Sequence, residues 1–244
     1  MFDPSHYAGR VPPLVPHVSA LRAWHDGRRG TGARLRSSLG EDETLPAAVF
    51  FRAGDDLFPW ERYALELARG DVLDLGAGTG VHALELQARG LDVLAVENQA
   101  DLVRILVERG VRRVERADFR LWAGARADTV LMLMNGLGPT GTLAGLDRFL
   151  RHAFALVAPG GQLLVDIAEA LPEPGPAPVD LPRTGAYAGE AWIELSFGGR
   201  VGRPFRELYL DYETLARHAR DASWAAAVAF DDGAGGFLAR LAPV

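Results

Sequence analysis

The sequence of 244 residues contains no cysteine, which excludes disulfides, thiolate nucleophiles and cysteine-bound zinc. It also contains no lysine, so all 26 basic residues are arginine. The absence of lysine removes Schiff-base chemistry and the lysine of the phosphate-binding loop. These two absences remove several classes of mechanism without pointing to a particular one.

Long apolar runs are missing as well. Apolar runs such as TVLMLM at 129–134 are far too short to cross a bilayer, and the N-terminus lacks the basic start and apolar stretch of a secretory signal. We therefore expect a cytoplasmic protein with no membrane partner. The net charge of −6 disfavours a nucleic-acid partner, because such binding depends on neutralising phosphates.

What the sequence does contain is an alternation of short apolar strands and amphipathic helices. The predicted strands include DVLDLG, LDVLAVE, VRRVERADF, ADTVLMLMN and QLLVDIA, with helices such as QADLVRILVERG between them. This alternation is typical of a parallel sheet covered on both faces. A long helix is predicted over TLAGLDRFLRHAFALVAPGG, with Val157 on its apolar side.

The chain divides into four parts by pattern. Residues 1–58 are predicted to form an N-terminal cap or helical segment, and 59–170 the alternating core. Residues 171–210 are predicted as a proline-rich loop with an inserted β-hairpin, and 211–244 as the completion of the core. The hairpin is predicted from AWIELSFGG and FRELYLDY, which flank the turn-like RVGRP. Residues 171–185 hold five prolines, and a lid and a disordered connector are equally favoured there.

The stretch VLDLGAGTG at 72–80 leads from a strand through a glycine-rich loop into a helix. Glycines permit positive φ angles and let a ligand approach main-chain atoms closely. The helix N-terminus adds unpaired N–H groups and partial positive charge. The dinucleotide fingerprint G-x-G-x-x-G fails here, because Val81 stands where its third glycine is required. A carboxylate at Asp74 would repel a pyrophosphate but could attract the ammonium of an amino acid.

A second carboxylate, Glu97, ends the next strand, about twenty residues after the first glycine, where nucleotide-binding folds place the carboxylate that binds ribose hydroxyls. The end of a buried strand is an unusual position for a glutamate without a specific role. The pattern therefore favours a nucleoside-containing ligand between the glycine loop and Glu97.

Four segments in this order, VLDLGAGTG, VLAVE, ADF and LVAPGGQLLVDI, resemble the class I S-adenosylmethionine-dependent methyltransferases. The resemblance covers residues 61–167, and LMLMNGLG, PFRELYLD and GGFLARL resemble a bacterial subfamily that methylates small molecules. It implies an α/β, Rossmann-like doubly wound sheet of seven strands in the order 3-2-1-4-5-7-6, the last strand antiparallel. It also implies S-adenosyl-L-methionine as cofactor and methyl transfer to O, N or C of a small-molecule substrate.

The resemblance also predicts cofactor-binding residues at or after the ends of the strands: Asp74, Gly76, Ala77, Gly78, Glu97, Asn98, Asp118, Phe119 and Asn135. Asp74 and the backbone of the glycine loop would hold the methionine part, and Glu97 would bind the ribose. The family commonly has Asp where Glu97 stands, and the longer side chain preserves the charge. Asn98 would flank the adenine, while Asp118 would hydrogen-bond it and Phe119 would wall it.

The reacting end of the cofactor would lie beside Asn135. No dedicated catalytic motif is obligatory, since the cofactor supplies the reactivity and the protein supplies alignment. The catalytic residue stays open, with Asn135, Asp166 and His82 as candidates, and no metal site is predicted. Plausible lining groups for the substrate are aromatic residues and one arginine: Phe50, Phe51, Tyr187, Trp192, Tyr209 and Arg206.

Two alternatives stay open from the sequence. One is an NAD(P)-dependent oxidoreductase, which would have to tolerate Val81 and do without a Tyr-x-x-x-Lys pair, since no lysine exists. The other is a non-catalytic protein that binds S-adenosylmethionine and acts as a partner of an enzyme. The sequence reveals neither the methylated atom nor the oligomeric state.

Overall fold

The computed structural model of the chain describes residues 7, 9–168, 181–182, 187–231, 233 and 236–244. Most of the proline-rich segment 171–185 lies outside the described residues, so the lid and the connector both stay predictions. In the described part of the chain, no helix is long and apolar enough to span a membrane.

The described residues form six α-helices and twelve strands. The α-helices are α1 (Val15–His25), α2 (Pro59–Leu67), α3 (Val81–Ala88), α4 (Ala100–Glu108), α5 (Leu143–Ala153) and α6 (Tyr212–Asp221). The strands are β1 (Gly32–Ser37), β2 (Asp42–Pro46), β3 (Val72–Leu75), β4 (Val93–Glu97), β5 (Arg113–Arg116), β6 (Ala127–Met132), β7 (Val157–Ala168), β8 (Glu190–Phe197), β9 (Arg200–Val201), β10 (Phe205–Leu208), β11 (Trp224–Asp231) and β12 (Gly236–Pro243). Short 3₁₀ helices cover Ala47–Phe51, Gly54–Asp56 and Gly138–Thr140.

The main sheet has seven strands in the order β5-β4-β3-β6-β7-β12-β11. Strands β3 to β7 are parallel, and β12 runs antiparallel to both of its neighbours. Numbered along the core, this is the order 3-2-1-4-5-7-6, so the predicted fold class is confirmed. The helices cover both faces of the sheet, which explains why all four residues of β3 are buried.

The order of the strands reverses between β3 and β6, which are neighbours in the sheet although β4 and β5 intervene in the chain. Ligands of open α/β sheets bind outside the carboxyl ends of the strands at such a point. The loops after β3, β4 and β6 therefore meet at one crevice, and all of them carry predicted site residues.

A second sheet has the strand order β10-β8-β1-β2, with β9 paired to β8. The hairpin predicted from 191–212 is thus present as β8 with β10, but the N-terminal segment is not purely helical as predicted. Its strand β1 pairs with β8, so that Arg34 lies opposite Ser196. Sequence patterns do not predict β1 because its only apolar side chains are Ala33 and Leu35, so its alternation is weak, and because one of its two partner strands, β8, lies far along the chain.

The helix predicted through Val157 ends earlier than expected. α5 stops at Ala153, and Val157 opens β7 opposite Ala127. Phe154 instead packs edge-on against Trp224, with ring centroids 5.5 Å apart. The helical pattern extended too far because Val157 is buried in the sheet, which gives the same apolar signal as burial on a helix.

Candidate functional site

The glycine-rich loop follows β3 and is open on one side. Gly76 has a φ of +75°, and a Cβ placed on it would meet no atom within 4 Å. The N–H groups of Gly76 and Ala77 donate to the Val96 carbonyl, at 2.9 and 3.1 Å. Gly80 serves a different purpose, since a Cβ there would overlap Leu106. The space over Gly76 is therefore room for a ligand, whereas Gly80 allows close packing of the helix.

Thr79, near the end of the glycine-rich loop, is held by hydrogen bonds to residues of two other segments. The Thr79 hydroxyl donates to the Phe50 carbonyl. Arg109 donates from Nη1 to the Thr79 carbonyl at 2.7 Å. The loop therefore has its conformation set by the 3₁₀ helix at Ala47–Phe51 and by the residue that ends α4.

Asp74 is buried beneath this loop and does not line the cavity beside it. Its Oδ2 atom accepts no hydrogen bond from the described residues. Burial raises the pKa of Asp74, while the nearby His82 and the Ala83 N–H lower it. An unpaired buried carboxylate oxygen is costly, so it marks a place where a cation or water would be favourable.

His82 lies at the start of α3 and is buried in a charged network. Its Nε2 atom is 3.0 Å from Glu61 Oε1, and both oxygens of Glu61 accept from Arg52 Nη2 at 2.7 Å. Burial lowers the pKa of His82, but Glu61 and Asp74 outweigh it, so the net shift is upward. His82 also lines the cavity, which a catalytic candidate must do. Its pairing with Glu61 is not indicated by any pattern in the sequence.

Glu97 is the last residue of β4, and each of its two carboxylate oxygens accepts a hydrogen bond from a backbone N–H group. Its Oε2 atom accepts from the Gly78 N–H at 3.0 Å, and its Oε1 atom from the Gln99 N–H at 2.8 Å. Burial raises its pKa, and these hydrogen bonds act against that shift. Its side chain lines the same cavity as the glycine loop, so the structure brings together the two features from which the sequence predicts a nucleoside site.

Of the three residues predicted to hold the adenine, two line the cavity beside the glycine loop and one does not. Asn98 and Phe119 line the cavity, and Phe119 packs edge-on against Phe149 at 5.5 Å. Asp118 does not line the cavity. Its two carboxylate oxygens accept hydrogen bonds from Arg120, at 2.9 and 2.6 Å. The Arg120 guanidinium holds the pKa of Asp118 below its usual range. The role of Asp118 at the adenine stays a prediction.

The turn after β6 places Asn135. Met134 and Asn135 have φ angles of 63° and 55°, which residues other than glycine adopt at a cost. Asp166, at the end of β7, accepts from the Met134 N–H and from the Asn135 N–H, both at 2.8 Å. Its Oδ2 atom also accepts from Trp60 Nε1 at 3.1 Å.

Asp166 is therefore fully engaged with the protein. It is buried, burial raises its pKa to about 6, and it lines neither of the two cavities at this end of the sheet. Among the three catalytic candidates, Asn135 and His82 lie on a cavity wall, and Asp166 lies behind Asn135 and positions it.

Two cavities open at the carboxyl ends of the strands. The inner one, of about 250 Å³, lies between the glycine loop, Glu97 and α1. The outer one, of about 810 Å³, lies between the turn after β6 and the second sheet. The two share a wall of residues from several separate segments: Leu14, His17, Phe50, Asn98, Gln99, Phe119, Met134, Asn135, Pro139 and Glu207.

The outer cavity has a largely apolar wall contributed by β1, β2, β8 and β10: Leu35, Leu45, Ile193, Leu195 and Phe205. Of the predicted lining groups, Phe50, Arg206 and Tyr209 lie on its wall, whereas the other three do not. Phe51 stacks on Trp24 at 4.2 Å, and the Tyr187 hydroxyl donates to Asp211 at 2.7 Å. Trp192 lies under the Arg206 guanidinium, 5.0 Å from the ring centroid.

The two titratable residues of the shared wall, His17 and Glu207, are not predicted from the sequence. His17 packs edge-on against Phe50 at 4.6 Å, and burial lowers its pKa to about 4. Glu207 accepts at Oε1 from Asn135 Nδ2 at 3.3 Å, and burial raises its pKa to about 8. The available signal is the segment PFRELYLD, which contains Glu207 but by its pattern indicates only a strand of a hairpin.

Among the described residues, no group of three or more His, Asp or Glu side chains converges as a metal site would. Neither protein-family models nor curated protein sequences match this chain.

Solved structures do match it. An S-adenosylmethionine-dependent methyltransferase from Bacteroides fragilis, in complex with S-adenosyl-L-homocysteine, is 30% identical over 97% of this chain and 98% of its own, with a TM-score of 0.84. The CcbJ methyltransferase from Streptomyces caelestis is 22% identical over 78% and 98%, with a TM-score of 0.61. CalS10, an amino pentose methyltransferase from Micromonospora echinaspora, is 20% identical over 75% and 88%, with a TM-score of 0.53. The last two show the fold alone.

Proposed function

The chain belongs to the class I S-adenosylmethionine-dependent methyltransferases, and we propose that it methylates a small molecule bound in the outer cavity. The observation that carries this proposal is the shared wall. The inner cavity meets the predicted cofactor residues, and the outer cavity opens on the same wall at Asn135. A cofactor and an acceptor in these two places would meet there.

The inner cavity fits S-adenosyl-L-methionine in three respects. The space over Gly76 admits the amino-acid part close to the backbone. The unpaired Oδ2 of Asp74 lies beneath the loop and off the cavity wall, so its negative charge would attract the ammonium from behind the loop without a direct contact. Glu97 lies on the wall where a ribose would present its hydroxyls. When bound, the cofactor supplies an electrophilic methyl group on a sulfonium.

The contribution of the chain is alignment and exclusion of water. α1 and the 3₁₀ helix at Ala47–Phe51 close the inner cavity with apolar side chains: Leu14, Val18, Leu21 and Phe50. These side chains are held in place because α1 packs on Leu102 and Ile105 of α4. The turn held by Asp166 presents Asn135 to the other side of the reacting centre.

The outer cavity suits a small molecule. Its volume of about 810 Å³ lies within the usual range of small-molecule pockets, about 300–1,000 Å³. It combines an apolar wall from the second sheet with polar groups near the mouth, among them Arg120, Arg148 and Arg206. A cytoplasmic location and the absence of a nucleic-acid partner stay predictions from the sequence.

A binding experiment separates the proposal from its alternatives. Thermal unfolding of the full chain is measured with S-adenosylmethionine, S-adenosylhomocysteine and NAD. A ligand at a hundredfold excess over its dissociation constant stabilises by about 2.7 kcal/mol. Stabilisation by NAD alone would contradict the proposal and favour the oxidoreductase.

A transfer experiment then addresses the non-catalytic alternative. The chain is incubated with a metabolite extract and S-adenosylmethionine labelled in the methyl group, and labelled products are separated by mass. We expect label in a small molecule, with one S-adenosylhomocysteine formed per product. Tight binding of both cofactor forms without any transfer would favour the non-catalytic partner protein.

A further inference from the structure

We infer that the acceptor is an amine and that Glu207 holds this amine at the methyl group and takes its proton. The inference rests on the proposed function, because it places the cofactor in the inner cavity. It goes further by assigning the class of acceptor and a catalytic residue.

The position of Glu207 is the first argument. Glu207 lies on β10 at the wall that the two cavities share. Among the described residues that line the outer cavity, it is the only Asp or Glu. The negative charge available to an acceptor is therefore concentrated where the acceptor would meet the methyl group.

The carboxylate is also fixed in direction. Its Oε1 atom accepts from Asn135 Nδ2 at 3.3 Å, and the Asn135 backbone is held by Asp166. Gly138 makes this approach possible, since a Cβ at that position would overlap both the Glu207 Oε1 and the Asn135 Nδ2 atoms. The Oε2 atom accepts no hydrogen bond from the described residues, so one oxygen is left for a ligand.

The other charged groups of the outer cavity leave Glu207 as the partner for a cation. Arg206 is paired with Glu190 at 3.0 Å and Arg120 with Asp118 at 2.6 Å, so two of the three arginines on the wall are already neutralised. Arg148, the third, lies at an exposed position on α5. None of these three arginines contacts Glu207 in a hydrogen bond or an ion pair.

An amine is the acceptor that most needs such a group. An alkyl ammonium has a pKa of about 10, so it is cationic at neutral pH and has no free electron pair on nitrogen. A carboxylate both attracts the ammonium and accepts the proton whose loss frees that pair. An alcohol is neutral, so the same carboxylate could accept its proton but would not attract it by charge.

The transfer conserves atoms and charge. The ammonium passes one proton to Glu207, and the freed electron pair forms a bond from nitrogen to the methyl carbon while the carbon–sulfur bond breaks. The electrons of that bond stay on sulfur. The products are the methylated ammonium, S-adenosylhomocysteine and protonated Glu207, which returns its proton to solvent through the outer cavity.

His17 is the competing base on the shared wall. Its ring packs edge-on against Phe50 at 4.6 Å, and no hydrogen bond from the described residues directs it. Glu207 is directed by Asn135, the side chain predicted to lie beside the sulfur. The experiment therefore includes a variant at each position.

The test uses sinefungin, the cofactor analogue in which a carbon bearing a primary amine replaces the methylated sulfonium. Its amine lies where the transferred methyl group would be, next to the acceptor position. Affinities of the full chain for sinefungin and for the uncharged thioether of S-adenosylhomocysteine are measured by calorimetry at pH 8.5. The variants are Glu207→Gln and His17→Gln, with Glu115→Gln as the control, since Glu115 lies at an exposed position on β5 and lines neither cavity.

We expect Glu207→Gln to weaken sinefungin at least tenfold while S-adenosylhomocysteine changes less than twofold, which also shows that the variant is folded. Glu115→Gln should leave the ratio of the two affinities unchanged. An unchanged ratio in Glu207→Gln, or a loss that occurs in His17→Gln instead, overturns the inference. If the wild-type chain binds neither compound, the proposed function fails, and that outcome is distinct.

Discussion

Asp166 accepts a hydrogen bond of 2.8 Å from the Asn135 backbone N–H, and this contact organises the wall between the two cavities. The same carboxylate holds Met134, so the two residues of this turn that have a positive φ are tied to one side chain. Asn135 in turn donates from its side chain to Glu207. A buried acid at the end of β7 thus determines, through Asn135, where Glu207 points.

The first prediction concerns this buried acid. In Asp166→Asn, one of the two backbone N–H groups loses its acceptor, because an amide has only one acceptor oxygen. We expect the free energy of unfolding to fall by about 1–3 kcal/mol, the cost of an unsatisfied buried donor. Urea unfolding measures the change. Asp147→Asn, which removes a partly exposed pair with His218, is the control. Equal losses in the two variants would show that Asp166 does not hold the turn.

The second prediction concerns the space over the glycine loop. Gly76→Ala and Gly90→Ala are a matched pair, since both residues have a positive φ and a Cβ on either would meet no atom within 4 Å. Both substitutions should cost about 1–2 kcal/mol in unfolding free energy for the disfavoured conformation. Only Gly76→Ala should weaken S-adenosylhomocysteine, because Gly90 follows the C-terminus of α3 and does not line the cavity. Equal affinities in calorimetry would mean that no ligand lies over Gly76.

The sequence was sufficient for features that depend on neighbouring residues. The strand, glycine loop and helix at 72–88 follow one another directly, and the core strands are short apolar runs, so the parallel sheet could be predicted. The link between Asp74, Glu97 and a nucleoside ligand depended on spacing along two adjacent βα units. All of this is local information.

The features that could not be predicted depend on distant partners. β1 forms a local hairpin with β2, but its position inside the second sheet depends on β8, more than 150 residues later, which pairs with its other edge. In the sequence, Glu207 is an ordinary charged residue of a hairpin strand. Its contacts with Gly138 and Asn135, which lie in a different part of the fold, are seen only in the structure. The buried pair of His82 and Glu61 is equally non-local. Neither the hydrophobic periodicity nor a motif of one segment specifies contacts between residues that are far apart in the sequence.

The third prediction tests the ribose role of Glu97. Glu97→Ala removes a charged hydrogen-bond acceptor, and we expect the affinity for S-adenosylhomocysteine to fall by about 1–3 kcal/mol in calorimetry. Part of this loss could come from the Gly78 N–H, which Glu97 also binds. Affinities for S-ribosylhomocysteine, which contains the sugar, and for methionine, which lacks it, separate the loss of the ribose contact from the change in the loop. Loss for both compounds alike would assign Glu97 to the loop alone. Glu115→Ala, at an exposed position on β5, is the control.

The fourth prediction tests the adenine role of Asp118. Since Arg120 occupies both oxygens of Asp118, binding of the adenine amino group would require that exposed pair to open. Removing a pair of this kind costs about 0–1 kcal/mol. Arg120→Ala should therefore tighten S-adenosylhomocysteine by up to about fivefold, whereas Asp118→Ala should weaken it. With S-inosylhomocysteine, which lacks the amino group, the effect of Asp118→Ala should vanish. Arg104→Ala, which opens the exposed pair with Asp101, is the control, and identical responses to both ligands would exclude the adenine contact.

The fifth prediction is a pH dependence set by Glu207, whose pKa burial raises to about 8. The raised pKa means that the neutral form is favoured in the folded protein, and its contribution to stability is lost as the pH rises through 8. A cationic ligand favours the ionised form. Below pH 8, the affinity for sinefungin relative to S-adenosylhomocysteine should therefore rise with pH, by up to about tenfold per unit, and level off above 8 until the amine itself loses its proton.

The groups that face Glu207 should not produce this profile. Asn135 does not titrate, the pKa of His17 lies near 4, and that of Tyr209 is raised well above its usual value by burial and by Glu207. The arginines of the outer cavity stay charged throughout. Calorimetry at pH 7 in two buffers of different ionisation enthalpy should detect close to one proton released as sinefungin binds the wild-type chain. Glu207→Gln should release none and show a flat ratio between pH 6 and 8. A rising ratio in this variant would assign the titration to a different group and remove Glu207 from the amine.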